Sequence, residues 1–234
     1  RAVVQSLSRA KASWELIAVN DGSTDETLAR LTAAAKDDHR IRLISYPRNR
    51  GRGYALRTGF GAARGEYVIA TESDLNWGTD ILLRLVEELD RGDADIIIAS
   101  PHLSGGRMEN VPFLRWLLSY LGNKVFSFVL PGRLTMATGM TRGYRREVLD
   151  ALDLESDDKE LHIEILAKAL DLGFRVREIP AVLRWKTTGG RKSHFKPRSI
   201  IRHLLLGFDM KPYLLFGISG LLLIAIGTAF GFYL

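Results

Sequence analysis

Short apolar runs at residues 14–20 (WELIAVN), 41–45 (IRLIS), 66–71 (EYVIAT) and 94–99 (ADIIIA) alternate with segments whose apolar residues recur at helical spacing, at 24–36, 51–64 and 79–89. Parallel strands need a long crossover, and a helix supplies it, so this alternation predicts an α/β fold with a mostly parallel sheet covered by helices. Ligands of such sheets bind beyond the carboxyl ends of the strands. Two acidic features fall at those ends: Asp21, after the first run, and the stretch Glu72-Ser73-Asp74-Leu75-Asn76, after the third.

The second feature sets two carboxylates at i, i+2 and a carboxamide two residues further on. Hard oxygen ligands of this kind suit Mg²⁺ or Mn²⁺, which keep several waters and take remaining ligands from a substrate's phosphates. Glu72, Asp74 and Asn76 are therefore candidate metal ligands; the competing reading is ordinary polar loop residues ahead of the next helix. Asp21 also has two readings, a ligand-binding carboxylate or an N-cap, a task that Ser23 and Thr24 can equally fill.

The absence of cysteine excludes a disulfide framework and any thiolate site. A net charge of +6 and a pI near 9.6 fit nucleic acid, an anionic membrane or phosphorylated substrates. Distribution separates these. Basic residues crowd into 184–211, immediately before 213–234, which carries no charge at all. At ~1.5 Å per residue this tail is long enough for a hydrocarbon core of ~30 Å, so residues 212–234 are expected to form a transmembrane helix, cut short at the end of the chain. The basic flank puts the preceding domain on the cytoplasmic side. Residues 197–211 read as an amphipathic juxtamembrane helix, with Ile200, Ile201, Leu204, Leu205 and Phe208 on one face. Residues 111–130 are apolar and aromatic on most sides but interrupted by Gly122, Asn123 and Lys124. They read either as one or two short helices lying in the membrane interface or as plain core. Further expectations are a helix at 51–64 capped by Asn49, a mobile loop at 101–110, a strand within 133–141, a helix from 157 to 172 and a hairpin around Pro180. Nucleic-acid binding is excluded, since no aromatic platform or basic helix lies away from the membrane flank. G-x-G-x-x-G, Walker A and zinc-ligand spacings are absent.

The segments Ala18-Val19-Asn20-Asp21-Gly22-Ser23-Thr24-Asp25, Glu72-Ser73-Asp74-Leu75-Asn76 and Gly139-Met140-Thr141-Arg142-Gly143-Tyr144-Arg145-Arg146, in this order, resemble the inverting glycosyltransferases of family 2, of the polyprenyl-phosphate sugar synthase type. The resemblance implies the GT-A (Rossmann-like) fold for residues 1–196. It implies a nucleoside-binding turn at Asp21, Gly22 and Ser23, joined by Arg52, and a metal and diphosphate site at Glu72, Asp74 and Asn76. Glu72, Asn76 and Asn20 depart from that family's Asp, Gln and Asp. The family also has an apolar strand ahead of the position of Arg1, and the chain reads as a fragment cut at both ends.

Leaving-group charge calls for arginines. Arg142 matches the family's arginine and Arg107 lies in a Gly-rich loop, so Asp74, Arg142 and Arg107 form the expected catalytic set. The basic loop with Arg191, Lys192 and Ser193 resembles the family's acceptor-phosphate segment; general attraction to anionic membrane lipids is the competing reading. A hydroxyl acceptor would need a base, for which Asp157 or Asp158 is available, although Asp157 with Glu160 also reads as a helix cap. A lipid phosphate needs none, being largely ionised near pH 7. The resulting expectation is a membrane-bound, metal-dependent hexosyltransferase of glycan biosynthesis. It would take a nucleotide-sugar donor and a polyprenyl-phosphate acceptor, as a monomer or a homo-oligomer. The alternatives are a hydroxyl-acceptor transferase or a weak or inactive nucleotide-sugar-binding homologue.

Overall fold

The computed structural model of the chain describes residues 2–130, 132, 134–185 and the positions 220, 223, 224 and 228. The chain divides into two compact units, residues 1–187 and 188–234. In the second, the described positions are helical; the expected helices at 197–211 and 212–234, apart from those positions, and Arg191, Lys192 and Ser193 lie outside the described residues. Among the described residues no helix is long and apolar enough to cross a membrane.

The first unit runs α1 (Ala2–Leu7), β1 (Leu16–Asp21), α2 (Thr27–Asp37), β2 (Ile41–Tyr46), α3 (Arg52–Ala62), β3 (Tyr67–Ala70), α4 (Asp80–Asp90) and β4 (Ile96–Ser100). The alternation expected from the sequence is present. It continues with β5 (Arg107–Glu109), α5 (Phe113–Val129), β6 (Arg142–Arg145), α6 (Arg146–Ala151), α7 (Leu161–Asp171), β7 (Val176–Pro180) and β8 (Val182–Arg184).

The main sheet has the order β3-β6-β4-β7, with β6 antiparallel to both neighbours and β4 parallel to β7. β1 and β2 form a separate parallel pair, and β5 and β8 another. β4 is buried along its whole length, which is why it reads as a continuous apolar run instead of an alternating one. α4 lays Ile81, Leu82, Leu85 and Leu89 onto this sheet, and α7 adds Leu161, Ile163, Ile165 and Leu166. Full burial of one such side chain contributes ~1.5–3 kcal/mol.

After β4 several expectations change. The strand sought in 133–141 forms at Arg142–Arg145, because the stretch before it is held in irregular form by side chains. Glu178 accepts Thr135 N (2.8 Å), Thr135 Oγ1 (2.9 Å) and Met136 N (2.7 Å), while Asn123 Oδ1 accepts Thr138 N at 3.2 Å. The expected hairpin around Pro180 is absent: β7 pairs with β4 and β8 with β5, so the chain changes sheets at Ala181, whose N donates to Ser100 O. The 101–110 loop contains β5. The 111–130 segment holds one continuous helix, α5 (Phe113–Val129), in which Gly122, Asn123 and Lys124 are internal.

Candidate active site

β1 ends in a turn that its own sequence fastens. Asn20 is buried, donates from Nδ2 to Ser45 Oγ (2.9 Å) and accepts Ser23 N on Oδ1 (3.4 Å). Gly22 has φ +65°, and a Cβ there would collide with the backbone of Arg48 and Asn49, so the turn needs glycine. The Asp21 carboxylate does not cap α2. It reaches the next turn, where Oδ1 accepts Arg50 N (2.6 Å) and Oδ2 accepts Gly51 N (3.1 Å). Asn49 likewise does not cap α3; its side chain donates to Asp21 O at 3.1 Å, and α3 starts from Gly51 without a side-chain cap. Asp21 thus ties the exits of β1 and β2 together, while Ser23 is exposed beside them. Tyr46 stands next to it: burial, then the Asp21 charge, push its hydroxyl up to about 12. Tyr46 meets Tyr54 edge-on at 5.4 Å, and the Arg50 guanidinium lies 3.5 Å from the Tyr54 ring centroid.

The first residue of α3 carries the link onward. Arg52 Nη1 lies 3.6 Å from Glu72 Oε1, just beyond the end of β3. Glu72 is largely enclosed, and burial raises its pKa; the Arg52 charge opposes this and the Asp74 charge adds to it. Asp74 accepts Asn76 N on Oδ1 (3.1 Å) and Asn76 Nδ2 on Oδ2 (2.6 Å). Leu75 between them has φ +54°, a left-handed backbone that costs a non-glycine residue ~1–2 kcal/mol. The Asn76 carboxamide is turned toward Asp74. Among the described residues no group of three or more His, Cys, Asp or Glu gathers to hold a metal. Glu72 and Asp74 bring two hard carboxylate donors together, the Asp74 charge bearing on Glu72. That fits Mg²⁺ or Mn²⁺ completed by water and phosphate.

Two expected arginines sit elsewhere. Arg142 is entirely buried in β6, donating to His162 O (2.9 Å) and to Ala137 O, and burial lowers its pKa. In this arrangement its two terminal nitrogens are engaged by main-chain carbonyls. Arg107 is exposed at the start of β5, paired with Glu109 at 2.7 Å.

The loop at 154–158 docks on the start of α3. Tyr54 N donates to Asp157 O (3.1 Å), Arg57 donates to Leu154 O (2.9 Å), and Arg57 also pairs with the Asp157 carboxylate. Gly51, at φ +100°, permits the approach, since a Cβ there would run into Asp157 O. Asp157 is thus held by Arg57 and does not cap α7, whose N-cap is Glu160, without a side-chain cap bond. Lys159, directly after this loop, bears electrostatically on Glu72. Arg50, Tyr54 and Arg57 were not among the candidates; both guanidinium groups lie over the Tyr54 ring, Arg57 from the next turn of α3 and Arg50 from the turn ahead of it. Nothing local signals Lys159.

The family model described as glycosyl transferase family 2 matches residues 1–153. The chain is 31% identical over 197 residues to polyprenol monophosphomannose synthase of Mycolicibacterium smegmatis, covering 81% of this chain and 74% of that protein. It is 26% identical over 195 residues to dolichol-phosphate mannosyltransferase of Pyrococcus furiosus, covering 82% of this chain and 53% of the relative. Among solved structures, glucosyl-3-phosphoglycerate synthase from Mycobacterium tuberculosis in complex with Mn²⁺ and UDP-glucose superposes with a TM-score of 0.66 at 19% identity, covering 89% of this chain and 73% of that one. The mannosyltransferase PcManGT from Pyrobaculum calidifontis in complex with GDP-Man and Mn²⁺ gives 0.56 at 20% identity, covering 88% and 58%. These likenesses show the fold, an α/β architecture of GT-A type.

Proposed function

This chain belongs to glycosyl transferase family 2, and from that membership we propose that it transfers a sugar from a nucleotide-sugar to a polyprenyl phosphate, with inversion at the anomeric carbon. The observation that carries the reading is the continuous link across the rim: Asp21 holds Gly51 N, and the next residue, Arg52, faces Glu72. A nucleoside at the Asp21 turn would have its diphosphate directed along that link toward Glu72 and Asp74. Mg²⁺ or Mn²⁺ bound through Glu72 and Asp74 would supply positive charge to the leaving diphosphate. Arg52 contributes charge from the nucleotide side, and Arg107 does so on exchanging Glu109 for phosphate. The acceptor phosphate, for which the family resemblance offers Arg191, Lys192 and Ser193 as the binding segment, attacks the anomeric carbon as that carbon's bond to the donor diphosphate oxygen breaks. A nucleoside diphosphate leaves and a sugar phosphodiester remains. A phosphomonoester with second pKa ~6 is ionised at neutral pH, so no protein base has to remove a proton. This agrees with Asp157 being engaged by Arg57.

We assign the reaction to the cytoplasmic face of a membrane. Support comes from the basic stretch before the uncharged tail and from α5, where Phe113, Leu114 and Leu121 are 72, 66 and 50% exposed. Phe113, Trp116 and Tyr120 stack along that helix at centroid spacings of 5.8 and 5.6 Å. An aromatic and aliphatic face of this kind suits the headgroup boundary. The test is incubation of the full-length protein with Mn²⁺, UDP- or GDP-sugars, and either polyprenyl phosphate or polyprenol. Lipid-linked sugar from the phosphate alone is expected. No product from any donor would reject the enzyme reading, and product from polyprenol would keep the transferase but reject the base-free mechanism.

A further inference from the structure

We infer that Asn76 is a positioning residue that clamps the Asp74 carboxylate through its side-chain amide, and is not itself a metal ligand. The inference rests on the proposed metal site at Glu72 and Asp74 and assigns the roles within it. Asn76 is 6% exposed. Its Nδ2 lies 2.6 Å from Asp74 Oδ2 and its backbone N lies 3.1 Å from Asp74 Oδ1, so one residue gives a donor to each oxygen of the same carboxylate. The left-handed Leu75 folds the chain back so that positions 74 and 76 face each other. Asn76 is fixed in turn, because its carbonyl accepts Arg184 N of β8 at 2.8 Å.

The orientation of the carboxamide follows from charge. Turning it over would bring Oδ1 against a carboxylate oxygen, and two acceptors at that distance repel. Oδ1 is therefore on the opposite arm of the planar group, where it is buried without a hydrogen-bond partner among the described residues and out of reach of solvent. A cation arriving from the cleft meets Asp74, not this oxygen. Asn76 gives each Asp74 oxygen one N–H, and because a carboxylate offers about four lone-pair directions in all, these two bonds alone do not fill it. The clamp thus holds the carboxylate in one orientation without saturating it, the task that groups behind a metal ligand perform elsewhere.

Charge reversal at position 76 separates clamp from ligand, because the two roles predict opposite signs. Mn²⁺ affinity is measured on the full-length protein from the EPR signal of free aqueous Mn²⁺, with UDP and with GDP, independently of turnover. For a clamp, Asn76→Asp replaces a donor with a second negative acceptor against Asp74, and Mn²⁺ binding weakens about 10- to 100-fold; Asn76→Leu, which only loses the donor, also weakens it, by less. For a direct ligand, a carboxylate in place of a carboxamide binds Mn²⁺ as tightly or more tightly. Far-UV circular dichroism melts identify a variant that has lost its fold. A second measurement needs no variant: pulsed EPR on wild-type protein carrying ¹³C-asparagine. Strong ¹³C coupling from a carbonyl carbon next to a ligating oxygen would overturn the clamp, and its absence with Mn²⁺ bound supports it. Wild-type protein that binds no Mn²⁺ with either nucleotide would overturn the metal site and the clamp with it. Wild-type binding together with equal or tighter binding by Asn76→Asp would overturn the clamp alone.

Discussion

Both oxygens of Asp21 hold main-chain amides of the Arg50-Gly51 turn, and charge-assisted bonds of this type contribute ~1.5–3 kcal/mol each. Asp21→Ala should free that turn and with it Arg52, lowering kcat/KM for the nucleotide-sugar about 30-fold, or ~2 kcal/mol. Steady-state kinetics checks this, and a loss within about twofold would contradict it. Tyr46, beside Asp21, has its pKa raised from 10.0 to about 12. The neutral phenol is the form the fold favours, so its contribution is complete below pH ~10 and is lost as pH rises through about 12. Ultraviolet titration should find a tyrosine that ionises near 12 and disappears in Tyr46→Phe; an unchanged titration curve would reject the assignment. The Asp21 turn was legible because a polar Asn-Asp-Gly-Ser run ending an apolar strand is a local signal. Its partner, a turn 29 residues away, leaves no trace in local spacing, so capping stood as the competing role.

At the level of elements, the start of α3 and the 154–158 loop share one seam. Gly51 sits at φ +100° with Asp157 O where a Cβ would be, a conformation for which a side chain costs ~1–3 kcal/mol even without the clash. Gly51→Ala should lower stability by at least ~2 kcal/mol in denaturant titration and raise the KM for donor, since Arg52 follows directly. A neutral substitution would show that the seam is loose. The exposed face of α5 gives a second prediction. Trp116 fluorescence should shift to the blue on adding anionic vesicles, and Phe113→Ser with Leu114→Ser should weaken vesicle binding about tenfold or more, each side chain losing ~1.5–3 kcal/mol of burial at most. No response to vesicles in the parent protein would reject the interfacial reading. The apolar character of α5 was evident in sequence. Its continuity was not, because Gly122 and Asn123 look like a break until Asn123 is seen to join the helix to the 134–138 stretch, donating to Ser119 O and accepting from Thr138 N.

For the whole molecule, the parallel strands were readable because β4 and its neighbours are short apolar runs between helices. The antiparallel strand at the centre of the sheet was not. β6 is Arg-Gly-Tyr-Arg, a polar string by composition, and it is buried because Ala137 O and His162 O accept the Arg142 guanidinium within the fold. The same bonds hold Arg142 inside the fold, bound to two carbonyls. What the fold preserves is the convergence of two strand ends on one rim, with Asp21, Arg52, Glu72 and Asp74 in sequence along it. In the proposed reaction this rim hands a sugar to a phosphate oxygen. ³¹P NMR of the full-length protein with Mg²⁺, a nucleotide-sugar and polyprenyl phosphate follows donor and acceptor together. The acceptor phosphomonoester resonance should be replaced by a phosphodiester while nucleoside diphosphate appears in equal amount. Nucleoside diphosphate released with the monoester resonance unchanged would contradict it.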